Sequence, residues 1–100
     1  MSFSKSAQKT HLKGAFLHST CRRVDGSWND NNIDLDRYIG NDNGVLVWDG
    51  ENFFSSCENV TIHDGHQLKC KARRVDGSWN QTEINLDDKI GNNNGELTFG

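Results

Sequence analysis

The same eight residues, RRVDGSWN, occur twice in this chain, at residues 22–29 and at residues 73–80. The similarity extends well beyond the octet, because residues 16–49 align with residues 67–100 at a constant offset of 51. Toward the N-terminus the better offset is 50, which places one added residue of the second copy near Gly65. Two copies of about 50 residues are too few for a solenoid, which needs about three repeats to bury a continuous core. The repeat therefore predicts one pseudo-symmetric domain over residues 1–100.

The charge pattern excludes several classes of partner. Basic and acidic residues alternate along the chain and the net charge is −3, whereas nucleic acids and anionic membranes require a basic face. No stretch approaches the roughly 18 apolar residues of a membrane span. The first five residues lack the apolar run of a secretory signal, so we expect a cytoplasmic or non-classically secreted protein whose location is otherwise unknown.

Turn signals divide each copy into short β segments. We predict turns at residues 13–14, at the Asp-Gly pairs 25–26 and 76–77, and at the Asn-rich stretches 41–44 and 92–95. The residues between them alternate in polarity or are rich in apolar side chains. They predict strands at residues 10–12, 16–23, 27–33, 45–48, 60–62, 67–74, 79–84 and 97–99.

Between two of these strands the apolar spacing becomes helical, because Leu35, Tyr38 and Ile39 stand at positions i, i+3 and i+4. Only one or two helical turns fit there, and residues 86–90 repeat the pattern. We expect Phe3 to anchor the N-terminus by packing. The remaining core is predicted from the duplicated apolar positions, which are Leu17, Trp28, Leu35, Ile39 and Leu46 with Leu68, Trp79, Leu86, Ile90 and Leu97.

Three cysteines leave at least one thiol unpaired. Cys57 and Cys70 would close a 14-residue ring, and a disulfide there would contribute about 3 kcal/mol. Cys21 is then left over and is expected to be reduced. The alternative, three reduced cysteines in a cytosolic protein, stays open. The cysteine spacing fits no zinc motif.

The sequence contains no catalytic or metal-binding motif. The four histidines, His11, His18, His63 and His66, do not recur at equivalent positions, so we predict that the protein is not an enzyme. The Asn-rich turn at residues 41–44 resembles a calcium loop, but an EF-hand needs flanking helices and a glutamate at position 12. We therefore predict no metal and no cofactor.

Repeated amide and carboxylate side chains in the turns are compatible with sugar binding. Such groups offer paired donors and acceptors to vicinal hydroxyls, so a shallow polar site for carbohydrate is chemically reasonable. A glycosidase would instead need two carboxylates about 5–10 Å apart in a cleft. Asp34, Asp36, Asp87 and Asp88 lie at the helical turns, and we interpret them as capping and dipole partners.

Several motifs together resemble the cyanovirin-N family. They are F-S at residue 3, S-T-C-x-R at 19–23, I-D-L at 33–35, I-x-N-x-x-G-x-L-x-W at 39–48, N-F-x-x-x-C at 52–57 and I-N-L-D-D-x-I-x-N-x-x-G-x-L at 84–97. The resemblance covers essentially the whole chain. It implies a mannose-binding lectin with an all-β fold of two pseudo-symmetric halves. Each half would hold a triple-stranded sheet and a β-hairpin drawn from different repeats, with one glycan site at each far end.

The resemblance also implies which residues bind mannose-containing oligosaccharides or glycoproteins. One set, here called the Asn41 site, comprises Asn41, Asp42, Asn43, Glu51, Asn52, Ser55, Ser56, Arg73, Arg74, Val75, Asp76 and Gly77. The other, here called the Asn92 site, comprises Ser2, Lys5, Ser6, Arg22, Arg23, Val24, Asp25, Asn92, Asn93 and Asn94.

This chain departs from the family pattern at three places. Ala7 replaces the N-terminal cysteine that pairs with the residue matching Cys21, so that bridge cannot form. Cys70 lies two residues before the position that the family spacing implies, where this chain has Ala72. Residues two apart on a strand share a face, so a Cys57–Cys70 pair stays possible. Lys5 and Arg22 replace acidic or amide residues, which predicts a weaker Asn92 site.

Two further expectations concern the alternative function and the assembly. The other function compatible with this fold is a structural or protein-interaction module with weak or no sugar binding. Residues 48–52 join the copies, and we expect flexible Gly50 to let the chain close on itself as a monomer. A dimer that exchanges strands through this joint is the alternative.

Overall fold

Ten short β-strands form most of the regular structure in the computed structural model, which describes residues 2–100 and leaves Met1 outside. The strands are β1 (Ala7–Lys13), β2 (Phe16–Arg22), β3 (Trp28–Asp34), β4 (Ile39–Asp42), β5 (Val45–Trp48), β6 (Cys57–His63), β7 (Gln67–Arg73), β8 (Trp79–Asn85), β9 (Ile90–Asn93) and β10 (Glu96–Phe99). Short 3₁₀ turns occupy Phe3–Ser6, Leu35–Arg37, Phe54–Ser56 and Leu86–Asp88. The predicted all-β fold is confirmed. The helical signals produce only three-residue turns because Ile39 and Ile90 already begin strands.

The two halves exchange elements between the sequence repeats. Strands β1-β2-β3 form one antiparallel sheet and β6-β7-β8 the other, while β4-β5 and β9-β10 are hairpins. Strand β10 packs on β3, and β5 packs on β8. We call the unit of β1–β3 with β9–β10 the Asn92 half and the unit of β4–β8 the Asn41 half. Together they extend over 50 × 21 × 17 Å.

The octet forms a three-residue hairpin loop rather than the predicted two-residue turn. The backbone N–H of Arg23 donates to Ser27 O (2.7 Å), and the N–H of Gly26 donates to Arg23 O (2.9 Å). Gly26 has a φ of +90°, and Gly77 repeats that value in the second copy. A type I turn followed by a left-handed residue needs this third residue, so the prediction of turns at 25–26 and 76–77 was wrong by one position.

The first hairpin of each copy confirms the predicted insertion. Lys13 pairs with Phe16 in the first copy, whereas His63 pairs with Gln67 in the second. The first turn therefore holds residues 14–15, one position later than predicted, and the second holds residues 64–66. The added residue of the second copy lies in this loop beside Gly65.

The core is one cluster of apolar side chains between the sheets and hairpins. Phe3 and Phe53 are completely buried at equivalent positions. The prediction is confirmed for Leu17, Leu35, Ile39, Leu46, Leu68, Leu86, Ile90 and Leu97. It was wrong for Trp28 and Trp79, which are 46 % and 45 % exposed. They stand opposite Arg22 and Arg73, on the sheet faces that look away from the core.

Candidate functional site

Each end of the molecule joins a tight hairpin turn to the octet loop of the other repeat. In the turn between β4 and β5, Asn43 and Gly44 both have positive φ, 47° and 91°. This is the type I′ geometry that Asn-Gly favours. Asn43 Oδ1 accepts a hydrogen bond from Val75 N at 2.9 Å, and at the other end Asn94 Oδ1 accepts one from Val24 N at 2.9 Å.

Asn41, on strand β4 just before the turn, connects three segments of the Asn41 site by hydrogen bonds. Its Nδ2 donates to Ser56 Oγ (3.0 Å) and to Arg73 O (2.9 Å), and its Oδ1 accepts from Gly44 N (2.8 Å). Both amide hydrogens are used inside the protein. The side chain that the resemblance placed in the binding site therefore holds three segments together instead of projecting toward a ligand.

Asn92 makes the same three connections in the Asn92 half. Its Nδ2 donates to Ser6 Oγ (2.9 Å) and Arg22 O (2.9 Å), and its Oδ1 accepts from Gly95 N (2.7 Å). The hairpin turn, the octet loop and the N-terminal 3₁₀ turn are thereby locked to one another. The two ends of the molecule therefore carry the same set of hydrogen bonds around Asn41 and Asn92, here called the frame.

Two further asparagines support the turns and were not predicted from the sequence. Asn80 Nδ2 donates to Gly44 O (2.7 Å), and Asn29 Nδ2 donates to Gly95 O (2.9 Å). In the Asn41 half Arg74 Nη2 also donates to Asn80 Oδ1 (2.7 Å). Asn29 and Asn80 are the last residues of the identical octets. That repetition was the signal that could have identified them.

Aspartates also hold the segments that flank the turns. Asp36 accepts from Phe54 N through Oδ1 (3.0 Å) and from Asn52 N through its carbonyl oxygen (2.8 Å). Its counterpart Asp87 accepts from Ser4 N (3.0 Å) and from the Ser4 hydroxyl. Asp34 caps its turn as predicted, by accepting from Asp36 N (3.0 Å). These carboxylates order the backbone.

The cap of the 3₁₀ turn Leu86–Asp88 differs from the prediction. Asn85 Oδ1 accepts from Asp87 N (3.0 Å), so the capping residue is Asn85 and not Asp87 or Asp88. The physical reason is that the residue before the turn supplies the cap in both copies, and that position holds Asp34 in one and Asn85 in the other.

The octet loops carry an exposed carboxylate at each end. Asp76 Oδ1 accepts from Ser78 Oγ (2.6 Å) and Ser78 N (2.9 Å), and Asp25 makes the same pair of bonds with Ser27. The serine hydroxyl first, and then the serine N–H, lower the pKa of both carboxyl groups. Both aspartates are therefore charged at neutral pH and face solvent.

The structure brings most of the predicted site residues to the two ends. In the Asn41 site, hydrogen bonds connect Asn41, Asn43, Ser56, Arg73 and Val75, while Arg74, Asp76 and Gly77 continue the same loop. Asp42 lies in the hairpin, and Glu51, Asn52 and Ser55 lie on the segment that leads to Ser56; all four are exposed. In the Asn92 site, hydrogen bonds connect Ser6, Arg22, Val24, Asn92 and Asn94, with Arg23, Asp25 and Asn93 adjoining them. Ser2 meets this group through the bond from Lys5 N to Ser2 O (3.3 Å).

All three cysteines are free and lie on the inner faces of the sheets. Cys21 stands directly opposite Ala7, and Cys57 stands directly opposite Ala72, so each half keeps one member of a cross-strand pair. Burial raises the pKa of the Cys21 thiol. A hydrogen bond with Cys70, followed by burial, raises the pKa of Cys57.

Neither a metal centre nor a membrane span is found in residues 2–100. No group of three or more His, Cys, Asp or Glu side chains in this part of the chain is arranged to hold a metal ion. No helix there is long and apolar enough to cross a membrane.

Comparison with known proteins agrees with this architecture. The model of the CVNH domain matches residues 3–98. A cyanovirin-N homolog from Tuber borchii is 38 % identical over 103 residues, which cover 99 % of each chain. A variant of MoCVNH3 solved in complex with (N-GlcNAc)4 superposes with a TM-score of 0.93 at 30 % identity, covering 98 % of this chain and 96 % of that one. The microvirin–mannobiose complex gives a TM-score of 0.84 at 30 % identity, covering 99 % and 98 %. The chain belongs to the CVNH family of cyanovirin-N homologs.

Proposed function

We propose that this protein is a non-enzymatic lectin that binds mannose-type oligosaccharides, with α-linked mannose as the recognised unit, through shallow polar sites at its two ends. The observation that carries the proposal is the pair of identical frames that Asn41 and Asn92 build. Relatives of the same fold support it, because one was solved with a GlcNAc oligosaccharide and another with mannobiose.

Chemistry at the Asn41 end suits sugar hydroxyls. Asn43 uses its Oδ1 to hold the octet loop, which leaves the donors of its Nδ2 for a ligand. The exposed carboxylates of Asp42, Glu51 and Asp76 are charged acceptors. A frame that is already hydrogen-bonded costs little ordering entropy on binding. Each site is shallow, so strong binding requires both ends to engage a clustered target.

The Asn41 site is proposed to be the tighter of the two. A bond to a charged acceptor contributes roughly 1.5–3 kcal/mol, against roughly 0.5–1.5 kcal/mol for a neutral one. The Asn92 site has Lys5, Arg22, Asn93 and Asn94 around its frame and is poorer in charged acceptors. The difference corresponds to about tenfold in affinity.

Calorimetric titration with mannobiose, with chitobiose as the comparison, tests the proposed specificity. We expect saturable heat with mannobiose and much weaker heat with chitobiose. Comparable or tighter binding of chitobiose would replace mannose by GlcNAc as the recognised sugar. No binding of either disaccharide would contradict the lectin proposal.

A protein-interaction module is the second candidate, and exposed apolar side chains favour it. Val24 and Val75 in the octet loops are each 92 % exposed, and Trp28 and Trp79 at the base of these loops are 46 % and 45 % exposed. Such residues commonly mark contact surfaces. A glycan array without a hit at high protein concentration would favour this function over sugar binding.

We also propose that the chain is a monomer in dilute solution, because its joint is closed by a tight backbone contact. A Cβ added at Gly50 would lie 2.7 Å from both Cα and N of Gly40. Gly50→Ala should therefore force the joint open and favour a strand-exchanged dimer. Size-exclusion chromatography should show a monomer for the wild type, and a stable wild-type dimer would contradict the proposal.

A further inference from the structure

We propose that the outer face of the β1–β2–β3 sheet, the face directed away from the core, carries a third binding site, for a single neutral sugar ring. A groove of about 300 Å³ lies there, and its lining shares no residue with either end site. Its floor and walls include Lys9, His11, His18, Thr20, Asp30 and Asn32. This volume is at the lower end for small-molecule sites, which fits one ring.

A β-bulge next to the groove places Lys9 in an unusual backbone conformation. The β1–β2 register shifts between Gln8 and His11, and Lys9 has a φ of +55°. The second copy has the same bulge, but there Asn59 takes the left-handed position with a φ of +54°. Asn tolerates this conformation far better than Lys. Lys9 therefore occupies a strained bulge position and lines the groove.

His11 and His18 form a fixed pair within the groove. They are cross-strand partners, and their rings stack with centroids 5.2 Å apart and an interplanar angle of 15°. His11 Nδ1 lies 3.0 Å from Lys9 O. A carbonyl oxygen only accepts, so Nδ1 carries the hydrogen and Nε2 of the neutral ring is an acceptor. This bond fixes the orientation of the ring.

The remaining groups balance one another in charge. The Thr20 hydroxyl donates to Asp30 Oδ1, which leaves Oδ2 as a charged acceptor. The lining contains one ammonium group, that of Lys9, and one carboxylate, that of Asp30, so their formal charges sum to zero. Asn32 supplies both a donor and an acceptor. An anionic ligand would be repelled by the Asp30 carboxylate, and a cationic ligand would be repelled by the Lys9 ammonium group. A neutral polyhydroxylated ring can satisfy all of these groups together.

The corresponding face of the other half uses its polar groups internally. Lys69, which replaces His18, has its Nζ 4.0 Å from Glu83 Oε2, and Gln67 Nε2 donates to Glu83 Oε1 at 2.9 Å. Glu83 itself occupies the position of Asn32. The strands of the two sheets pair in equivalent register, so the side chains of the first sheet are what make the groove. The second sheet therefore offers a matched control.

Site-resolved NMR titration with methyl α-mannopyranoside and with N-acetylglucosamine tests the third site independently of the two ends. At least one sugar should shift the backbone amides of residues 9, 11, 18, 20, 30 and 32, whether or not the turns at 41–44 and 92–95 respond. His18→Ala and Asp30→Asn should each raise the half-saturation concentration of these shifts at least tenfold. The control Lys69→Ala should leave it unchanged.

Three outcomes would overturn the proposal. The first is no shift of these amides at saturating concentrations of either sugar. The second is a shift that persists with unchanged half-saturation in both variants. The third is a response of His11 and His18 to Zn²⁺ in the absence of any response to sugar, which would make the pair a metal site instead. Shifts at the two ends report separately on the lectin proposal.

Discussion

The two halves of the molecule share the contacts that shape their end sites, but they differ in the exposed side chains around those contacts. Asn41 and Asn92 make equivalent bonds to the turn, the octet loop and the 3₁₀ segment. Beside them, Ser55 of one half corresponds to Lys5 of the other, and Asp42 corresponds to Asn93. Both repeats contain the hydrogen bonds of the frame, and the proposed difference in sugar affinity between the two sites therefore depends on the flanking side chains.

The largest expected effect tests whether the halves are equally stable. Phe53→Ala and Phe3→Ala should each lower the free energy of unfolding by about 3–5 kcal/mol, because both rings are completely buried in the shared core. Denaturant unfolding measures this, with Phe16→Ala, 43 % exposed, as a control expected to cost less than about 1 kcal/mol. A large cost at only one phenylalanine would show that the core is not symmetric.

The next effect separates the frame from the ligand contacts. Asn41→Asp keeps an oxygen to accept from Gly44 N but removes the donors to Ser56 and Arg73. Ser56 Oγ and Arg73 O then lose their donor, which should lower the free energy of unfolding by about 1–3 kcal/mol. Sugar binding at this end should weaken at least tenfold. Asn92→Asp should do the same at the other end. Site-resolved NMR should show each loss only at its own end, and equal losses at both ends would contradict independent frames.

A smaller effect concerns the charge difference between the sites. Glu51→Gln replaces a charged acceptor by a neutral one, so we expect affinity at the Asn41 site to fall by up to about tenfold. Lys5→Gln in the Asn92 half should change affinity at its own site by much less. Calorimetry with mannobiose measures both. A greater loss from the lysine change than from the glutamate change would reverse the proposed order of the two sites.

The smallest expected effect is on the pKa values of Asp25 and Asp76, which should be shifted equally in the two halves. Hydrogen bonds from Ser27 and Ser78 lower the pKa of Asp25 and Asp76 below the ordinary value of 3.8. Because the folded pKa lies below the unfolded one, these bonds stabilise the loops above the unfolded pKa and are lost as the pH falls through the folded pKa. NMR titration should give two matching midpoints below 3.8, and Ser78→Ala should raise that of Asp76 alone. Clearly different midpoints in the wild type would show that the octet loops are not equivalent.

The repeat and the turn chemistry made most of the fold predictable. The extra residue near Gly65, the strands and the buried Leu and Ile positions follow from local patterns that act within one copy. The tryptophans were misplaced because bulk and apolarity do not determine which sheet face a residue occupies; register does. Trp28 and Arg22 are cross-strand partners, and both are exposed.

The role of the site residues was less predictable than their location. The motifs placed Asn41 and Asn92 in the sites, but a motif cannot show that an amide is already occupied by Ser56 and Arg73. Asn80 was missed because its partner, Gly44 O, is 36 positions away in the sequence. The groove on the outer face was missed because it depends on a bulge at Lys9 and on the pairing of two histidines across strands.

The most direct test of the two-site lectin proposal is a site-resolved NMR titration of the wild-type protein with mannobiose. Two separate groups of amides should shift, one around residues 41–44 and 73–78 and the other around 92–95 and 22–27. The first group should half-saturate at about one tenth of the sugar concentration that the second requires. No shift at either end would contradict sugar binding, and a first group that saturates later than the second would contradict the proposed order of the two sites.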